Sequence, residues 1–162
     1  MSSAHNNVFD TVNDRSNISD PKNTNDLDRT FVYKNDPWSK GQDYEGYPYI
    51  IVRFPKMEKS KLSGDGNTKN FLWECEVTVR TAMEGAINDV GESTGISNMN
   101  SILDDLNETF DSKTVKDELR ALGMFSLEYE IGDNDEVIDS NGKHIFVCES
   151  TIKFYNRLKV GV

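Results

Sequence analysis

At 162 residues the chain is long enough for one hydrophobic core, and with 28 acidic against 18 basic side chains its formal net charge is −10. That balance argues against a surface built throughout to grip phosphates, because such affinity comes from Lys and Arg displacing counterions. Cys75 and Cys148 are too few for a disulfide framework and too far apart for a CxxC motif, and no secretion signal or membrane-length apolar run is evident, so a soluble protein of a reducing cytoplasm is expected.

In chain order, HNNVFDTVNDRS sets Val8, Phe9 and Val12 at helical spacing and predicts a short amphipathic helix. From Asp14 to Thr30 the Asn, Asp, Ser and Pro residues predict a loop, followed by a short extended piece at Phe31–Tyr33. KNDPWSKGQDYEG reads as irregular chain that Trp38 and Tyr44 anchor, the pattern of an interaction segment. GYPYIIVRFP, in which Gly46 and Pro55 bracket aromatic and β-branched residues, predicts a strand over Tyr47–Phe54.

Lys56–Lys69 reads as a loop that is basic within an acidic protein, carrying Lys56, Lys59, Lys61 and Lys69 against Glu58 and Asp65. Gly64 and Gly66 loosen its tip, and Met57 and Leu62 offer apolar contacts, so it is a candidate for docking on an acidic partner. The strongest strand signal follows in Phe71–Thr81: Phe71, Trp73, Cys75, Val77 and Val79 alternate with Leu72, Glu74, Glu76, Thr78 and Arg80. Met99, Ile102, Leu103, Leu106 and Phe110 form the stripe of a helix over Asn98–Phe110, capped near Ser97 or Asn98. A shorter helix from Ser112 is expected to bury Val115, Leu119 and Leu122, with Gly123 as its left-handed stop.

Phe125–Ile131 alternates again, with Phe125, Leu127, Tyr129 and Ile131 on one face, and a turn-rich stretch from Gly132 to Lys143 leads to a last strand over Ile145–Leu158. There Phe146, Cys148, Ser150, Ile152 and Phe154 share a face, and Trp73 and Phe146 are expected in the core. The order predicts a single α+β domain: residues 1–45 a helix and long polar segment, and 46–162 an antiparallel sheet of about four main strands with helices on one face.

Little in the chain carries chemistry. SGDGN and GDNDEVIDSNG place Asn70 and Ile138 where a calcium loop needs glycine, so solvated turns are expected. His5 and His144 have no ligand-spaced neighbours and read as surface or strand-end residues, and both cysteines read as buried small hydrophobes. GDGN and STG lack the lysine and glycine spacing of a phosphate loop. Glu74 with Glu76 and Glu128 with Glu130 read as charged sheet faces rather than a tuned acid/base pair. No enzyme, cofactor or metal site is expected.

As an ordered set, GYPYIIVRFP, FLWECEVTVRT, SNMNSILDDLNETF and the closing FYNRLKVG resemble the tail terminator, or tail-completion, proteins of long-tailed bacteriophages and related archaeal viruses, often called neck proteins. The lead-in NISDP…RTFVYKNDP also resembles that family, and the likeness spans roughly Val8 to Gly161. It implies a small α+β fold and a homo-oligomer, a hexameric ring in the virion, assembled in the host cytoplasm. Such a ring caps the tail tube, ends tube growth and meets a head-completion or connector protein.

On that likeness Lys56, Met57, Lys59, Lys61, Leu62 and Lys69 are candidates for contact with the tail tube or a neighbouring subunit, and Trp38 and Tyr44 for neck or subunit contact. Glu74, Glu76, Glu128 and Glu130 are candidates for an acidic channel wall past which DNA moves without specific binding, and no membrane is involved. Three alternatives stand beside it: a monomeric regulatory or ligand-binding α+β domain with Glu74, Glu76 and Arg80 as a polar site, another head-tail connector subunit, or an enzyme with carboxylates assembled from afar.

Overall fold

A computed structural model describes residues 2–21, 29–37, 46–62, 68–82, 94–139 and 142–159. Along the chain these form α1 (Ser2–Asn13), β1 (Val32–Tyr33), β2 (Tyr49–Val52), β3 (Lys56–Leu62), β4 (Thr68–Ala82), α2 (Thr94–Asp111), α3 (Lys113–Ala121), β5 (Phe125–Ile138) and β6 (His144–Lys159). The strands make one sheet in the order β1-β2-β4-β6-β5, with β3 paired to β4 off that path. Only β1·β2 is parallel, and every other pairing is antiparallel. The α+β reading therefore holds, with six strands instead of about four.

The central pair is β4·β6, in continuous register from Thr68↔Lys159 to Ala82↔Ile145. Directly opposite residues share a face, so the alternation of each strand adds to that of the other. Cys75, Val77 and Val79 thus join Cys148, Ile152 and Phe154 in one core, closed by Met99, Ile102, Leu103, Leu106 and Phe110 of α2. Val115 and Leu119 of α3 and Ala4, Val8 and Val12 of α1 enter the same core, so all three helices cover one face. The predicted apolar stripes are the buried ones, as tertiary packing of an amphipathic face requires. Two residues depart: Phe9 of α1 is only partly buried, and Leu122 lies past the end of α3 and is exposed, while Gly123 takes the predicted left-handed conformation at φ 90°.

Two expected loops are strands. Lys56–Leu62 pairs along β4 from Lys56↔Glu74 to Leu62↔Lys69, with a bulge between Met57 and Lys59. The stretch read as turns from Gly132 onward continues β5 to Ile138, where the Asp139–Lys143 turn begins. The reason is common to both. β4 and β6 have 15 and 16 residues, longer than the apolar strands beside them, and their remaining backbone groups take whatever chain lies alongside.

The strand faces also depart from simple alternation. Ser126 has φ 51°, and the register shifts between Phe125 and Glu128. Phe125 consequently faces Tyr155 on the side away from the helices, under the Arg157 guanidinium, while Leu127 and Tyr129 turn inward. A second shift lies between Ile131 and Asn134, and Gly132 there is pressed against β6: a Cβ would stand 1.9 Å from the Glu149 carbonyl oxygen. Trp73 and Phe146, expected fully in the core, are only partly buried at its rim.

Candidate interaction surfaces

The face away from the helices has an aromatic end and a charged middle. The alternation in YPYIIV sends Tyr47, Tyr49 and Ile51 to this side, where they pack with Tyr33, Ala82 and Ile145. Tyr47 and Tyr49 stack at 5.3 Å, and Tyr33 meets Tyr49 edge-on at 5.6 Å. Arg80 donates from Nη1 to the Tyr49 hydroxyl at 3.0 Å and pairs with Asp36 at 3.0 Å. Tyr47 donates to buried Asp139 at 3.0 Å, which ties the start of β2 to the β5–β6 turn across the end of the sheet. The Tyr spacing was visible in the sequence; the acids it meets come from distant loops and were not.

The four candidate wall carboxylates stand in a strip of mixed charge. Lys153 Nζ lies 3.0 Å from Glu130 and 3.5 Å from Glu74, and Arg53 Nε donates to Glu76 at 2.7 Å. Lys153 is held protonated chiefly by its hydrogen bond to Glu130. Glu128 is exposed and stands opposite Lys153 in the register. Arg80, grouped from sequence with Glu74 and Glu76, is committed instead to Tyr49 and Asp36.

The described part of the predicted docking loop is strand, and its tip with Gly64 and Gly66 lies outside the described residues. Lys56, Met57, Lys59, Lys61 and Leu62 lie on β3, and Lys69 lies opposite Leu62 on β4. Lys56 and Met57 are exposed, whereas the side chains from Lys59 through Lys69 fall outside those described, as do residues Trp38 and Tyr44. β3 pairs only with β4, and β5 only with β6, so among the described strands each leaves one backbone edge unpaired, on opposite sides of the sheet.

Their chemistry differs. The seven residues KMEKSKL of β3 hold three lysines and one glutamate. The fourteen residues FSLEYEIGDNDEVI of β5 hold five acids and no Lys or Arg. Exposed apolar side chains accompany both edges, Phe54 (53%) and Met57 (52%) near β3, Ile131 (51%) and Ile138 (63%) on β5. Two open grooves flank β5 on its helix side, one of about 350 Å³ beside Phe110, Lys116 and Tyr129 and one of about 290 Å³ beside Ile96, Met99 and Phe146.

The remaining candidates for chemistry are structural. Cys75 is buried, its thiol pushed up to about 12 by burial and then by Glu76, and its Sγ donates to the Arg53 carbonyl at 3.1 Å. Burial also raises the Cys148 thiol, so neither offers a ready thiolate. His144 sits at an exposed strand end 3.5 Å from Glu136, as expected. His5 does not: it is buried in α1, donates from Nε2 to the Val52 carbonyl at 2.8 Å and lies edge-on to Phe54.

Among the described residues no three or more His, Cys, Asp or Glu side chains gather as a metal-ligand set, and no helix is long and apolar enough to cross a membrane. No family model matches the chain, and no curated protein matches it.

Proposed function

We infer that the chain is a structural subunit of a viral tail, a tail terminator that assembles as a ring on the end of the tail tube, stops tube growth and meets the head connector. The observation that carries this reading is a sheet that, among the described strands, leaves open the basic β3 edge on one side, next to the two-residue β1, and the acidic β5 edge on the other, because a ring subunit must receive one neighbour and offer itself to the next. The ordered resemblance of the strand and helix segments to tail-completion proteins supplies the kind of assembly, and the α+β architecture with helices on one face is compatible with it. On this reading the mixed strip of Glu74, Glu76, Glu130, Lys153 and Arg53 is a surface that holds DNA weakly, since each cation already has a carboxylate partner.

Electron microscopy of virus lacking the gene tests the reading. Tubes of uncontrolled length and unjoined heads are the expected result; head-bearing tails of normal length would overturn it.

A further inference from the structure

The two open edges differ in charge, in position and in strand direction, and the three differences point the same way. β3 is basic and β5 is acidic. They bound the sheet on opposite sides, β3 beyond β4 and β5 beyond β6. β3 runs antiparallel to β4, β4 to β6 and β6 to β5, so β3 and β5 point in opposite directions. A neighbour related by a modest rotation, with its strands kept roughly aligned, therefore brings its β5 alongside β3 in antiparallel sense, the better-aligned hydrogen-bond geometry.

We propose that a second copy of this chain docks its acidic β5 edge on the basic β3 edge, extending the sheet from copy to copy through a head-to-tail contact. This rests on the ring reading above and names the interface within it. The seven residues of β3 span about 23 Å, and the exposed run from Ile131 to Ile138 is of similar length. Pairing would satisfy the backbone groups that no described strand pairs on either edge, and Met57 and Phe54 on one side with Ile131 and Ile138 on the other supply apolar area.

Charge selects the partner. In a chain of net charge −10, two β5 edges repel, as do two β3 edges, so self-paired dimers are disfavoured and only the unlike edges meet. A contact between unlike surfaces closes into a ring when its rotation allows, whereas a contact of like with like stops at two.

Charge reversal tests this at positions away from the cross-strand charge pairs Lys56↔Glu74 and Glu128↔Lys153. Lys56 and Glu128 are left alone because they stand opposite Glu74 and Lys153. Lys59 and Lys61 stand opposite Leu72 and Asn70, and Asp135 opposite Val147, so these can be changed with Asp133, which lies in the bulge. One variant carries Lys59→Glu and Lys61→Glu, the other Asp133→Lys and Asp135→Lys.

Native mass spectrometry of the wild type should show a closed multiple of the 18.4 kDa chain. Each variant alone should associate at least about tenfold more weakly, since like edges then face each other. An equimolar mixture should regain the assembly with the two variants alternating. Circular dichroism melts check that each variant folds, and Lys59→Gln with Lys61→Gln replaces the first if it does not, with partial loss expected. A wild type that stays monomeric at every attainable concentration, variants that assemble like wild type, or a mixture that stays apart would each overturn the interface. The microscopy of tails is independent of these outcomes, so the interface and the tail reading can fail separately.

Discussion

Asp20, a carboxylate in the segment between α1 and β1, has no exposed side-chain surface. It accepts from Arg29 Nε at 2.5 Å and Nη2 at 2.6 Å, and from Arg15 Nη1 at 3.1 Å. Arg29 in turn donates to the Gly46 and Pro48 carbonyls, and both guanidinium groups lie over the Phe31 ring. Asp20→Ala would leave Arg29 buried without its carboxylate, and a cost of about 3–5 kcal/mol in chemical denaturation is expected. Gly132→Ala should cost about 1–3 kcal/mol or shift the β5 register, because the new methyl collides with the Glu149 carbonyl.

Cys75 gives the protein a pH dependence of known sign. Its thiol is raised from 9.0 to about 12 in the fold, so the native state favours the protonated form. The stabilisation is complete below the unfolded thiol value and is lost as pH rises from 9 toward 12. Tyr129, raised from 10.0 to about 12 by burial, adds to the same alkaline limb. Urea midpoints measured across that range should fall less steeply in Cys75→Ala than in the wild type.

At the scale of elements, α2 is the lid of the core. Ile102 and Leu106 are fully buried against the sheet, and either change to alanine should cost about 2–5 kcal/mol. Trp73 belongs to another class. It is only partly buried, and its indole Nε1 is enclosed without an acceptor among the described residues, so Trp73→Phe forfeits no hydrogen bond there. Urea titration should find Trp73→Phe much milder than Ile102→Ala.

At the scale of the whole molecule, the opposed edges make association a matter of screening. A contact steered by the lysines of β3 and the carboxylates of β5 should weaken as ionic strength rises from low to molar salt, where the Debye length shrinks to about 3 Å. Sedimentation velocity across that range should show the assembly losing ground to the monomer. An assembly that tightened with salt would instead point to the apolar side chains as the main contributors.

The helix positions, the alternation of β4 and β6 and the inward face of each were legible in the sequence, because apolar residues at periods of 3.6 and 2 report directly which side is dry. β3 and the second half of β5 were not. KMEKSKL and GDNDEVI have no dry side to announce, and they become strands because β4 and β6 are long enough to offer them backbone partners. The reversal of Phe125 rests on one bulge residue, Ser126, whose effect exists only against a paired strand. The basic stretch and the acidic stretch could each be seen in the chain, but strand order alone put them on opposite edges of one sheet, because it is pairing, a non-local choice, that decides which strands are left with an open side.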